Sequence, residues 1–130
     1  MSKNLDLVRS IYAAWGRGAF NATEWADTEI EFEIVGGPDP GRWEGVAGMT
    51  EGWRGWLAAW DDYSAEADEY RELEGGRVLV FGRMHGRGKT SGVNVETAFV
   101  NVIDVRGSKV TRLRLYSERE RALADLGLAE

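Results

Sequence analysis

"RVLVFGRMHGRGKTSGVNVETAFVNVIDVRGSKVTRLRLYS" (residues 77–117) is the stretch whose reading decides the fold. It breaks into three strand-like runs, 77–88, 93–105 and 109–117, separated by "KTSG" (89–92) and "RGS" (106–108). Glycine and serine between runs rich in Val, Phe and Ile are hairpin signals. One run upstream, "YSAEADEYREL" (63–73), leads into an "EGG" turn and gives a fourth strand. Four strands joined by tight turns make an antiparallel meander, and a long sheet of that kind needs helices across its inner face.

The first half of the chain supplies them. "NLDLVRSIYAAWG" (4–16) has apolar residues at 5, 8, 11, 12 and 15, the spacing of one helix face, with Asn4 as N-cap and Gly16 or Gly18 as the stop. "NATEW" (21–25) reads as a second short helix capped by Asn21. "EIEFEIV" (29–35) alternates strictly, which predicts a half-buried strand with Ile30, Phe32 and Ile34 inward and the glutamates outward. "GGPDPGRWEG" (36–45) is a turn-rich connection. Residues 48–61 read as a helix whose Trp53, Trp56 and Trp60 fall at i, i+3 and i+7. "ERERALADLGL" (118–128) closes the chain as a short helix. Helices first and antiparallel strands last predict an α+β single domain over 1–130: a cone-shaped, curved antiparallel sheet wrapped by three main helices.

Three indoles offer about 450–750 Å² of apolar surface, the limit of what an exposed patch tolerates. That stripe fills a core, walls a ligand cavity or meets a partner.

Composition removes several function classes. Lys and Arg number 16 against 22 Asp and Glu, a net charge of −6, which argues against nucleic-acid binding. With no cysteine and one histidine, disulfides, thiol chemistry and thiolate metal sites drop out, and no metal or cofactor is expected. The glycines at 82, 86, 88 and 92 sit in a strand and a hairpin, and serve curvature or a bulge better than a phosphate cradle. No 18-residue apolar run and no apolar signal core occur, so a cytoplasmic location without membrane contact is the expectation.

The order of elements resembles the nuclear transport factor 2-like superfamily, and within it the SnoaL-like branch. "IYAAWGRGAF" (11–20), "EWADTEIEFEIV" (24–35), "GRGKTSG" (86–92) and above all "GSKVTRLRLYSERERALADLGL" (107–128) carry the resemblance. It implies a cystatin-like cone with a pocket walled by Trp15, Phe32, Ile34, Trp53, Trp56, Trp60, Phe99 and Leu113. Such folds host isomerases, aldol cyclases, epoxide hydrolases, dehydratases and non-enzymatic binders, so the fold does not choose the activity.

Asn101 lies mid-strand between Phe99 and Ile103 on one face, and a buried amide there needs a hydrogen-bond partner. By resemblance to ketosteroid isomerase, Asn101 stands at the oxyanion-stabilising position and Tyr12 at that of the first-helix tyrosine; the plainer reading of each is a structural amide and a core tyrosine. The isomerase also needs a carboxylate base on the first strand. Counting suggests Glu33, but alternation turns Glu31 and Glu33 outward, so steroid isomerisation is not expected. The Arg-x-Asp pair of the epoxide hydrolases is missing, and the nearest match to the acidic residue of the cyclases is Glu118, at the start of the last helix. His85 is the natural acid or base at neutral pH, or a surface histidine; alternation groups it with Leu79, Phe81, Arg83 and Arg87. The sequence thus points to a cofactor-free isomerase, cyclase or hydrolase using Asn101, Tyr12 and His85 on a hydrophobic cyclic or polyketide-like compound, or to a non-catalytic binding or scaffold protein. Residues 93–105 carry apolar side chains of both parities (Val93, Val95 and Phe99; Val100 and Val102), which predicts a homodimer packed through outer sheet faces.

Overall fold

The computed structural model describes residues 2–20, 22–36 and 40–128. Helix α1 spans Lys3–Gly16 and buries Val8, Ile11, Tyr12 and Trp15, one stripe at i, i+3, i+4 and i+7. Its N-cap is Ser2 and not Asn4: the Ser2 hydroxyl accepts from the Leu5 amide at 3.2 Å. Residues 22–25 form a turn where a short helix was expected, and the expected cap Asn21 lies outside the described residues.

Strand β1 (Ala26–Val35) follows, with Ile30, Phe32 and Ile34 buried on one face, as its alternation requires. The turn-rich connection contains a strand that sequence reading missed, β2 (Gly41–Glu44), antiparallel to β1. Helix α2 covers Gly45–Leu57 and therefore stops before Trp60. Gly52 is what lets α2 lie flat on the sheet: a Cβ there would stand 2.8 Å from the Trp43 ring and 2.9 Å from Phe32.

The meander comprises β3 (Trp60–Leu73), β4 (Arg77–Gly88), β5 (Asn94–Arg106) and β6 (Lys109–Tyr116), and helix α3 (Arg119–Asp125) ends it. Gly107 and Ser108 both take positive φ in the two-residue turn between β5 and β6, the turn whose twist suits a hairpin. The six strands lie in the order β2-β1-β6-β5-β4-β3. All pairings are antiparallel except one: β1 runs parallel to β6, which makes the sheet mixed. Those two strands are joined by no hairpin, so the route of the chain and not a turn sets their direction.

Register breaks bend the sheet. In β3 one extra residue enters between Asp61 and Ser64 and another between Ala67 and Glu69. Helices α1 and α2 fill the inner face with Tyr12, Trp15, Met49 and Trp53 over Ile30, Phe32, Val78, Val80, Ile103 and Leu113. The outer face has a smaller core, where Ala122 and Leu123 of α3 cover Leu79, Phe81, Val100, Val102 and Tyr116. The apolar residues that motivated a dimer thus find much of their cover inside the chain. Among the described residues no helix is long and apolar enough to cross a membrane.

Candidate functional site

A cavity of about 70 Å³ opens on the inner face. Trp15 from α1, Ile34 from β1, Trp53 and Trp56 from α2, Tyr63 from β3, and Phe99 and Asn101 from β5 contribute to its wall. An open cleft of about 990 Å³ lies on the far side of Trp53 and Tyr63, lined among others by Phe20, Trp25, Leu57 and Trp60.

Asn101 is only 5 % exposed, and its Nδ2 donates to the Tyr12 hydroxyl at 2.7 Å. Its Oδ1 is buried without a partner. An amide fits the same space turned over, with Oδ1 then accepting from the Tyr12 hydroxyl and Nδ2 left free. In either orientation the amide has one end committed to Tyr12 and one end unspent, an unanswered polar group among aromatic walls. Tyr12 packs edge-on to Trp15 at 4.7 Å between ring centres and stacks on Phe99 at 6.3 Å. Burial drives its phenol well above the ordinary range, against the smaller opposing effect of the Asn101 hydrogen bond. Tyr12 is therefore a donor or acceptor that stays protonated, and not a base.

Tyr63 was missed by sequence reading, and the bulge explains why. In a regular strand Trp60 and Tyr63 would lie on opposite faces. The extra residue, with Asp62 at φ 55, brings both rings to the inner face, 6.1 Å apart at their centres. They lie against Gly86, where a Cβ would meet Trp60 at 3.0 Å and Tyr63 at 3.4 Å. The one trace in the sequence is the Asp-Asp pair before Tyr63, since Asp tolerates the left-handed conformation. Burial pushes the Tyr63 phenol up to about 12, the adjacent Trp56 indole acting in the opposite direction. The Trp56 Nε1–H stands close enough to Tyr63 for that effect, yet no aligned hydrogen bond forms and Nε1 is buried unpaired.

The structure brings Trp15, Ile34, Trp53, Trp56, Phe99 and Asn101 to one cavity, with Tyr12 just behind Asn101. Phe32 and Leu113 are core residues beneath it, Phe32 stacking on Trp53 at 5.4 Å. Trp60 belongs to the cleft and to β3, and not to a helical stripe. His85 shares a face with Leu79, Phe81 and Arg83 on the opposite side of the sheet from Asn101, where its Nδ1 is 3.1 Å from Glu96. It is not brought to the cavity. Glu33 also faces outward, 3.6 Å from Arg42 and 3.8 Å from Arg112, and Glu118 stands at the start of α3, outside the cavity wall.

No carboxylate and no imidazole lines the cavity among the described residues. Nor do three His, Asp or Glu side chains gather among them as a metal set. The chemistry on offer is hydrogen bonding from an amide, an indole N–H and neutral phenols within an apolar wall.

A family model described as the SnoaL-like domain matches residues 8–113, and the chain belongs to that family. The fold is the nuclear transport factor 2-like cone. A nuclear transport factor 2-like protein of unknown function from Burkholderia pseudomallei is similar at 18 % identity and a TM-score of 0.79, over 95 % of this chain and 97 % of that one. TerC, crystallised with polyporic acid, is similar at 21 % identity and a TM-score of 0.76, over 98 % of each chain. A protein assigned as a polyketide cyclase, from Xanthomonas campestris pv. campestris, is similar at 21 % identity and a TM-score of 0.72, over 94 % of this chain and 95 % of that one. Curated proteins provide no match.

Proposed function

We propose that this protein binds a compact, apolar, cyclic small molecule that carries an oxygen function, and that it does so without catalysing a reaction on it. The observation that carries the reading is Asn101: a buried amide with one unspent end, set in a wall of indole, phenyl and aliphatic groups. A ligand hydroxyl or carbonyl would satisfy that end, and an unmade buried hydrogen bond costs about 1–3 kcal/mol. Proton abstraction needs a base within reach of the bound molecule. The cavity wall supplies none among the described residues, since Glu33 and His85 face elsewhere. Polyporic acid in TerC is a precedent for an oxygenated cyclic ligand in this fold.

A second reading, a cofactor-free isomerase, cyclase or hydrolase, draws on the same pair. Asn101 and Tyr12, 2.7 Å apart, could donate together to an oxygen that gains negative charge. It requires the substrate or bulk water to supply the base. Native mass spectrometry of freshly purified protein, followed by calorimetric titration with 2-naphthol, tests the binding reading. A co-purified compound or a saturable titration that weakens in Asn101→Leu supports it; failure of every apolar probe to bind overturns it. Turnover of a bound compound would favour the second reading. A homodimer would use the part of the outer face that α3 leaves open, the ionic band of Asp68, Arg83, His85 and Glu96. A monomer in sedimentation at tens of micromolar would defeat it.

A further inference from the structure

The open cleft of about 990 Å³ has a chemistry of its own. Small-molecule sites run from about 300 to 1,000 Å³, so it is large enough to be one. Its floor includes Phe20, Trp53, Trp60 and Tyr63. Phe20 lies 5.4 Å from both Trp53 and Tyr63 between ring centres, and Trp60 lies 6.1 Å from Tyr63, so the four rings make one continuous aromatic surface. Trp53 and Tyr63 divide this cleft from the Asn101 cavity and line both.

Two guanidiniums also line the cleft. Arg17 is the C-cap residue of α1, its amide donating to the Ala14 carbonyl at 3.0 Å. Arg54 lies on α2, where Thr50, Arg54, Leu57 and Ala58 follow at i, i+4, i+7 and i+8 along the cleft wall. The two arginines reach the same region from two helices: Trp15, two residues before Arg17, packs at 5.1 Å on Trp53, the neighbour of Arg54. Neither side chain has an ion-pair or hydrogen-bond partner among the described residues. By contrast, the exposed guanidiniums of Arg42, Arg71, Arg83, Arg87 and Arg121 each stand 3.0–3.7 Å from a carboxylate. Asp62, the carboxylate lining the cleft among the described residues, is 3.7 Å from Arg87. In a chain of net charge −6, positive charge is thus in local excess beside an open aromatic floor.

We infer that the cleft is a second small-molecule site, separate from the Asn101 cavity, and that it takes a flat aromatic carboxylate. The ring lies on the floor of indole and phenyl faces, and the carboxylate is drawn to the Arg17 and Arg54 guanidiniums, whose planar fork matches it. One negative charge suits the site better than two, because the chain as a whole repels anions.

The test is calorimetric titration with 2-naphthoate against 2-naphthamide, a neutral molecule of nearly the same shape. In about 20 mM salt wild type is expected to bind 2-naphthoate about 3- to 10-fold more tightly, and about 0.5 M salt is expected to remove most of that difference. Arg17→Gln and Arg54→Gln are each expected to reduce the preference, and Arg54→Glu to invert it, with 2-naphthamide affinity held within about twofold. The indole N–H signals of Trp25 and Trp60, which line the cleft and not the cavity, are expected to shift in nuclear magnetic resonance spectra as 2-naphthoate is added. Equal affinity for the two compounds would overturn the inference, as would a preference that survives both glutamine substitutions. So would an absence of 2-naphthoate binding, or binding that leaves the Trp25 and Trp60 signals in place. The cavity reading is tested with uncharged 2-naphthol and Asn101, so either reading fails without taking the other with it.

Discussion

Truncating two tryptophans of the same helix should give opposite signatures. Trp53 is 6 % exposed and its ring packs on Trp15 at 5.1 Å, Phe20 at 5.4 Å and Phe32 at 5.4 Å. Replacing a core indole of that kind by alanine costs about 3–5 kcal/mol. Unfolding entropies near 2.1 cal/mol/K per residue give about 0.27 kcal/mol/K for this chain, so each kcal/mol moves Tm by about 4 °C. Trp53→Ala should therefore lower Tm by about 11–19 °C. Trp56 is half-buried, with ring neighbours Trp60 at 6.2 Å and Tyr63 at 6.1 Å, and its inner edge faces empty space. Trp56→Ala removes about half as much packing, for a fall of roughly 6–9 °C. Its larger effect should be on binding: removing about 40 Å² of ligand-facing apolar wall weakens an apolar probe by about 1 kcal/mol, or fivefold. Differential scanning calorimetry reads the first quantity and titration with 2-naphthol the second. Equal Tm losses in the two variants, with 2-naphthol affinity unchanged in Trp56→Ala, would refute the division of α2 into a packed end and a ligand-facing end.

Gly52→Ala and Gly55→Ala test the fit of α2 to the sheet: both gain helix propensity, but only the first meets atoms, Trp43 at 2.8 Å and Phe32 at 2.9 Å. Gly55→Ala should stabilise by about 0.5–1 kcal/mol and Gly52→Ala should destabilise by about 1–3 kcal/mol in urea melts. Tyr12→Phe leaves the Asn101 amide without its partner and should cost about 1–3 kcal/mol; a double-mutant cycle with Asn101→Leu should recover part of that loss, and strict additivity would show the 2.7 Å contact to be idle. The Tyr12 and Tyr63 phenols are both raised in the folded state, Tyr63 to about 12 from 10.0. Below pH 10 both folded and unfolded chains hold these protons and the stabilisation is fully present. Between pH 10 and 12 the unfolded chain releases them first, so stability should fall as pH rises through that window. Phenolate absorbance and far-UV circular dichroism followed together check this; early ionisation of all four tyrosines in the folded protein would contradict it.

The local elements were legible where one periodicity ruled. The stripe at 8, 11, 12 and 15 and the alternation of "EIEFEIV" foretold α1 and the inward face of β1, and that alternation correctly turned Glu31 and Glu33 away from the cavity. Asn101 was legible for the same reason. What was not legible depends on distant pairing. Strand β2 is four residues long, too short for a period to register, and the parallel seam between β1 and β6 joins segments with no turn between them. His85 was grouped with the right neighbours, but a sheet whose two faces are both apolar gives no sign of which is inside, because α3 covers one as α1 and α2 cover the other. Trp60 was assigned to the helix because i+7 fits a helical stripe, and only the bulge at Asp62 gives it an inward place in a strand.

The two bulges of β3 also act on each other. The first shifts the inward positions from even to odd numbers, so that Trp60 is followed inside by Tyr63, Ala65 and Ala67; the second shifts them back, so that Tyr70 points in again. A stretch of out-of-phase residues is thereby bracketed, and the errors cancel before the hairpin at Gly75 and Gly76. For anyone altering this protein by deletion, β3 therefore has two positions, 62 and 68, where a residue can be lost without exchanging the strand's faces. Removing the extra residue at position 62 would leave Trp60 and Tyr63 two residues apart and both inward, since alternation would then run unbroken from 60 to 67. Removing residues 62 and 68 together would leave one regular strand with Trp60, Tyr63, Ala65, Ala67 and Tyr70 all still inward, and would take away only the bends that the bulges give the sheet.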